Sequence, residues 1–401
     1  MDRDHPRSWL RPAAVSMAVD AVGVLPIFLT GALAVQLREG IGLSIDALGL
    51  VYATYFACAA LLSTPMSRAS DRVGTAWSLR IGTAVYIVAL LGIAGRATSP
   101  VILSVFVALS GVATALTRTA TSVLIARDVV AGRQGLAFGL KHSSIPIASL
   151  LAGLSVPAIA LTVGWRWAYA AAAALAALVL VAIPGSSGRP TERRPQGRAD
   201  MSLGALIVAA VGFGLGSSAA ASLGAYTLST VVASGMGEGA AGVLVATGSL
   251  VGLTSRLLIG HWSDRRRGSQ LDLVGWMLAV GGVGFLMLGL GREWAMLFAV
   301  PISFATGWSW LGSYNLAMVK LNPAAPGPAV GITQTGAFAG AIAGPIGLGF
   351  LAEEISFSAA WLAAAIASFA AATIIVVLRR FVLEEPSQRE LREIERSMMQ
   401  M

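Results

Sequence analysis

An all-α membrane protein, with twelve transmembrane helices in two pseudo-symmetric six-helix halves, is the fold class this sequence predicts. Three observations predict it. Hydrophobic residues make up 56% of the 401-residue chain and charged residues only 12%, with a mean hydropathy of +0.76. A water-soluble globule carries about 25% charged residues, so this chain lacks the polar surface to sit in water. The apolar residues also fall into runs of about 20, the length that crosses a bilayer. Finally, the basic residues are scattered between these runs and crowd into alternate connections, as membrane orientation requires.

Twelve runs are legible, at 12–36, 46–67, 77–96, 100–127, 135–161, 165–184, 203–232, 239–261, 271–290, 294–321, 327–352 and 357–380. The first follows the polar start "MDRDHPRSWLRP" and could be mistaken for a cleaved leader, with "ALA" at 32–34 as its cleavage site. It is too long for a leader's apolar core and contains Asp20, so it predicts a spanning helix. After the second run the chain stops for a charged knot, "PMSRASDRVG" at 65–74, and after the eighth for another, "GHWSDRRRG" at 260–268. Most of the 46 glycines lie inside the runs, where small residues permit close helix contact in lipid. Between the sixth and seventh runs, "GSSGRPTERRPQGRADMS" is polar and rich in arginine. The predicted organisation is therefore a half at 1–184, a linker at 185–202 and a second half with a tail at 203–401.

Orientation follows from the connections. One set holds Arg68, Arg72, Arg80, Arg127, Arg133, Arg189, Arg193, Arg194, Arg198, Arg265, Arg266, Arg267 and Lys320; the other holds only Arg38, Arg96, Arg166 and Arg292. The richer set, both termini and the linker are expected in the cytoplasm of a multi-pass protein of the plasma (inner) membrane. A net charge of +8 so dispersed fits orientation better than nucleic-acid binding, and no nucleic-acid partner is expected. Cys58 is the sole cysteine, which excludes an internal disulfide and a multi-thiolate metal site.

The halves repeat. Asp71 and Asp264 stand 193 positions apart, while "GLAFGLKHSS" (135–144) and "GPAVGITQTG" (327–336) share glycines at an offset of 192. Tyr169 and Trp361, aromatics of the sixth and twelfth runs, also differ by 192. The two charged knots are then equivalent connections, inserted the same way round.

Twelve runs, a basic central linker and D-R knots after the second and eighth runs resemble the major facilitator superfamily over nearly the whole chain. That family's signature connection reads roughly G-x-x-x-D-R-x-G-R-R. The first copy keeps Asp71, Arg72 and Gly74, with Ser67 for the leading glycine and Thr75-Ala76 for the basic pair. The second keeps Gly260, Asp264 and Arg265, with Gly268 one place late. The resemblance implies a latch in which the carboxylate holds neighbouring helix ends. Asp71, Arg72, Asp264 and Arg265 would form it, with Arg127 as partner and Arg256, about two turns away, tied to it. The glycine-rich G-P-x-x-G-G stretch usual in helix 5 of proton-coupled drug exporters is absent, which counts against that class.

Ionisable groups at mid-membrane depth cost at least about 2.5 kcal/mol each and tend to line cavities. Asp20 in the first run, Arg118 in the fourth, and Lys141 and His142 in the fifth lie at such depth. The resemblance implies that helices 1, 4, 7 and 10 line a central cavity, flanked by 2, 5, 8 and 11. Arg118 can bind a substrate carboxylate or simply pair with Asp20. The chain has 26 arginines but only two lysines, Lys141 and Lys320, so a lysine in the fifth run stands out, either as a substrate ligand or snorkelling to the surface. An arginine fork and a lysine point charge together suit a carboxylate. His142 can carry protons near neutrality or merely pack. Asp20 is the proton-coupling candidate, because carboxyls in apolar surroundings bind protons nearer working pH. "GWSWLGSYNLAMVK" adds Trp308, Trp310, Tyr314 and Asn315 as cavity candidates, with Tyr226 in the seventh run and Gln334, the repeat position of His142, behind them.

These residues predict a secondary carrier working by alternating access, moving a small organic anion such as a monocarboxylate with protons. The alternative is a proton-driven exporter of drugs or other amphipathic compounds. No metal-ligand cluster, P-loop or nucleophile–base motif appears, so neither an enzyme nor a cofactor is expected. The expected working form is a monomer surrounded by lipid.

Overall fold

The computed structural model describes residues 9–130, 133–183, 200–265, 270–323 and 326–384. Among them every regular element is a helix. The first half runs α1 (Leu10–Ala32, prolonged by Ala34–Ile41), α2 (Ile45–Leu61), α3 (Thr75–Arg96), α4 (Pro100–Asp128), α5 (Leu136–Val163) and α6 (Trp165–Ala182). The second runs α7 (Leu203–Ala233), α8 (Glu238–Arg265), α9 (Gln270–Gly289), α10 (Glu293–Leu321), α11 (Pro326–Glu354) and α12 (Phe357–Glu384). Eleven of the described helices are long and apolar enough to cross a membrane, and the pair Ala34–Ile41 and Ile45–Leu61, bent by 109°, brings the count to as many as twelve. The chain is thus a multi-pass integral membrane protein, with large apolar side chains such as Leu61, Val101, Leu178, Val181 and Trp276 exposed on its outside. Most of the 185–202 linker lies outside the described residues.

Local chemistry sets the helix ends. Ser99 caps α4 by accepting from the Ile102 N–H at 3.3 Å, with Pro100 in the first turn, and Ser202 caps α7 through the Ala205 N–H at 3.3 Å. These hydroxyls meet donors that would otherwise lack partners. The first charged knot differs from the expected loop: Ser63–Val73 is a helix, ended at Gly74, whose φ of 90° suits only glycine comfortably. Its Arg68 and Arg72 are exposed.

Prolines interrupt the hydrogen-bond ladder in two of the helices. Pro146 has no N–H to offer the carbonyl four residues back, that of His142, and α5 breaks at Ser143. In α10, Pro301 precedes a π-helical turn over Ser303–Gly307, a distortion often found at functional sites.

The helices of each half pack through small residues. On α11, a Cβ added at Gly336 or Gly340 would lie 1.9 Å from the carbonyl oxygen of Ala210 or Gly214 on α7, so the two backbones touch. The halves also match in detail: Tyr169 Oη of α6 lies 2.9 Å from Thr30 Oγ1 of α1, and Trp361 Nε1 of α12 donates to Thr230 Oγ1 of α7 at 2.8 Å. The halves meet where α2 packs on α11, α5 on α8 and α1 on α7.

Candidate functional site

Hydrogen bonds between the halves concentrate at the end of the bundle carrying the α1–α2 and α7–α8 turns. Gln36 Nε2 donates to Glu238 Oε2, the Ile45 N–H to Glu353 Oε2 at 3.2 Å, and Tyr52 Oη to the Gly224 carbonyl at 2.9 Å. Tyr226 Oη bridges the Pro345 carbonyl (2.7 Å) and that of Ile45 (3.2 Å). Midway, Ser249 Oγ donates to Ser149 Oγ at 2.8 Å. Towards the opposite, linker end, Arg256 donates across the halves to the His142 carbonyl at 3.0 Å. The turn end is sealed.

The charged residues of the spans stand between this seal and the linker end. Asp20, Arg118 and Arg256 are nine or ten residues from their helix ends, about 15 Å at ~1.5 Å per residue. Arg118 and His142 are nonetheless exposed, which marks a water-accessible cleft. Arg118 points across it, its guanidinium 5.6 Å from the centre of the Phe338 ring on α11. His142 has Lys141, Arg118 and Arg256 as charged neighbours.

Lys141 is buried at 4% exposure. Its Nζ lies 3.7 Å from Asp20 Oδ2, donates to Ser122 Oγ at 2.6 Å and approaches the Arg118 carbonyl at 3.3 Å. Thr121 Oγ1 sits 3.2 Å from Asp20 Oδ1, and Ser16 Oγ donates to the Thr121 carbonyl at 3.2 Å. The pairing open from sequence resolves in favour of Lys141: Asp20 binds the lysine, and Arg118 keeps its fork clear. Lys141 holds α1, α4 and α5 together, while Arg118 is the open cation.

Arg256 is placed differently from expectation. Its Nη1 and Nη2 donate to the carbonyls of His142 and Trp308, each at 3.0 Å, so it ties α8 to the α5 break and the α10 distortion rather than to the charged knot. The oxygen it takes at His142 is the one Pro146 leaves free. Gln334 Nε2 lies 3.4 Å from Asn315 Oδ1, which puts this pair together on α11 and α10, both half-buried.

Three aromatic candidates move out of the cleft. Trp310 and Tyr314 are fully buried in the second half. Tyr314 Oη donates to the Ala209 carbonyl at 2.8 Å and Trp310 Nε1 to that of Gly307 at 2.9 Å, both packed on Phe213. Tyr226 belongs to the turn-end seal. Trp310 and Tyr314 stand four residues apart on one face of α10, and that face is core.

Of the latch candidates, Arg127 forms a two-pronged pair with the neighbouring Asp128, Nε to Oδ1 at 2.6 Å and Nη2 to Oδ2 at 3.1 Å, and Arg72 is exposed. The side chains of Asp71, Asp264 and Arg265 lie outside the described residues.

Sequence reasoning missed Thr121, Ser122 and Phe338, which complete the site, and Phe28 and Phe304, the partners of Trp308 in an aromatic cluster above it. Phe28 and Phe304 pack on Trp308 with ring centres 5.4 and 5.2 Å away. Nothing singles out a hydroxyl or a phenyl ring in an apolar run; only the polarity of "TATS" beside Arg118 hinted at a buried network.

A family model described as Major Facilitator Superfamily matches residues 21–327. No protein of curated function matches the sequence. Among solved structures, a bacterial homolog of the human lysosomal transporter Spinster, in an inward-facing and occupied conformation, is similar at TM-score 0.74 and 12% identity, covering 94% of this chain and 97% of that one. Its inward-facing, unoccupied form matches at 0.68 and 13% over the same shares. A D-xylose-proton symporter matches at 0.75 and 15%, covering 92% and 97%. At these identities the likeness is one of fold.

Proposed function

The chain belongs to the major facilitator superfamily, whose members are transporters rather than enzymes, and from that premise we propose that it carries a small organic anion, such as a monocarboxylate, together with protons. The single observation carrying this reading is the charge of the cleft. Arg118 and Lys141 flank the acid Asp20, Lys141 already occupies it, and Arg256 adds a third positive charge beside His142. The uncompensated positive charge faces water, and Arg118 presents a free fork of the geometry that grips a carboxylate. Asp20 is the proton site, since a bound proton weakens its hold on Lys141. With the linker end in the cytoplasm, a cleft closed at the turn end corresponds to an inward-facing state, and rocking of the halves would expose the site to the other side.

The test is uptake of labelled monocarboxylates into liposomes holding the purified protein, with and without an imposed proton gradient. Gradient-stimulated uptake that disappears in Arg118→Ala is expected. Wild-type uptake by that variant overturns the anion role, and uptake indifferent to the gradient overturns proton coupling. Transport of lipophilic cations alone favours the exporter.

A further inference from the structure

We infer that Asn315 and Gln334 read a hydroxyl group on the substrate while Arg118 grips its carboxylate, which makes the cargo a small hydroxy acid. The inference rests on the anion reading above and adds to it the two residues that set specificity. Their side chains meet at 3.4 Å, Gln334 Nε2 to Asn315 Oδ1, longer than the ~2.9 Å usual for such a bond. That contact engages the nitrogen of one amide and the oxygen of the other. Among the described residues, Gln334 Oε1 and Asn315 Nδ2 have no further protein partner, and neither is a buried atom left unsatisfied. An acceptor and a donor are therefore turned to water, side by side, on a half-buried pair.

Two observations put this pair beside the open cation. Arg118 lies over the Phe338 ring, and Gln334 precedes Phe338 by four residues on the same face of α11, about 6 Å at ~1.5 Å per residue. Gln334 stands on the linker side of that ring, because α11 reaches the turn end only at Glu353. With the turn end sealed, the linker side is where water meets Arg118. Independently, Gln334 is the repeat position of His142, 192 residues on, and His142 is exposed with Arg118 as a charged neighbour. Equivalent positions in halves related by an axis between them face the same central space. A guanidinium stacked on a ring keeps its edge N–H groups free, so a carboxylate held there lies beside Phe338, and a short acid spans the remaining turn of α11. A hydroxyl on that acid accepts from Asn315 and donates to Gln334. A keto group could use only the donor, and a plain acid would use neither.

The measurement is the dissociation constant of the purified protein for propionate against 2-hydroxypropionate, and for butyrate against 3-hydroxybutyrate. The members of each pair share the carboxylate and the carbon chain, and differ in the hydroxyl alone. In wild type at least one hydroxy acid should bind about ten-fold more tightly than its parent, as hydrogen bonds at a half-exposed site allow. Gln334→Met and Asn315→Leu should each collapse that preference. Loosened packing would not do so, since it acts on both members of a pair alike, and unfolding midpoints show which variants fold. Equal binding within both pairs in wild type, lost for all four acids in Arg118→Ala, overturns the hydroxyl site and leaves the anion reading standing. A preference that survives undiminished in a folded variant of either residue also overturns it. If none of the four acids binds wild type, the anion reading fails, and the hydroxyl site with it.

Discussion

Lys141 Nζ and Asp20 Oδ2 lie 3.7 Å apart, joining α5 to α1 in the interior of the bundle. The lysine also meets Ser122 Oγ and the Arg118 carbonyl, so one side chain neutralises Asp20 and fixes the helix that bears the open arginine. Breaking a buried pair by removing one partner typically costs 3–5 kcal/mol, because the other charge is left uncompensated. Asp20 keeps 16% side-chain exposure and its Thr121 contact, so Lys141→Met should lose about 3 kcal/mol, at the low end of that range. Adding Asp20→Asn should restore most of it. Unfolding midpoints of the single and double variants check this; additive losses would show that the pair is not coupled.

Arg118 should behave in the opposite way. It is exposed, its ring contact with Phe338 is worth about 0.5–1 kcal/mol at such a site, and its own carbonyl, not its guanidinium, holds the network. Arg118→Ala should thus leave the unfolding midpoint nearly unchanged while abolishing carboxylate uptake. Arg118→Lys should rescue little, because an ammonium lacks the planar fork. Full rescue by lysine would show that point charge alone suffices.

The contrast shows what was legible beforehand. The rarity of lysine singled out Lys141, and depth singled out Asp20, Arg118 and His142; all lie in or beside the cleft. What sequence could not supply was partnership. Whether Asp20 faces Arg118 or Lys141 depends on a rotation of α5, set by the break that Pro146 introduces at Ser143. Trp310 and Tyr314 were misplaced for a related reason. A polar aromatic can satisfy its donor on a backbone carbonyl and remain core, as both do, and helical spacing alone does not distinguish a face turned to a cleft from one turned to a neighbouring helix. The helices themselves were plain, since lipid leaves no alternative to long apolar runs. The charged knot at 65–74 read as a loop because its polarity hid the helix Ser63–Val73.

The turn-end seal yields a conformational prediction. Gln36 and Glu238 bridge the halves there through a side-chain hydrogen bond, and alternation requires them to separate. In a Cys58→Ala background, Gln36→Cys with Glu238→Cys joined by a short reducible cross-linker should stop transport, and reduction should restore it. Undiminished transport by the cross-linked protein would mean that this end does not open in the cycle.

Glycine substitutions should separate folding from gating. Gly340 packs within the second half, where an added Cβ would meet the Gly214 carbonyl at 1.9 Å; Gly340→Ala should destabilise by about 1–3 kcal/mol, the usual cost of overpacking. Gly49 instead packs across the halves, its added Cβ 2.3 Å from the Pro345 carbonyl and 2.6 Å from Tyr226 Oη. That clash exists only while the turn end is closed, so the protein can relieve it by opening rather than by unfolding. Gly49→Ala should therefore keep a near-native unfolding midpoint yet favour the open turn end. A single cysteine placed at Thr227 in the Cys58→Ala background, buried in the closed state, reports this by faster labelling from the turn side. Unchanged labelling alongside a lowered midpoint would make Gly49 a packing residue like Gly340, and the closure would then depend on the hydrogen bonds of Tyr226, Glu238 and Glu353 without a steric limit at α2.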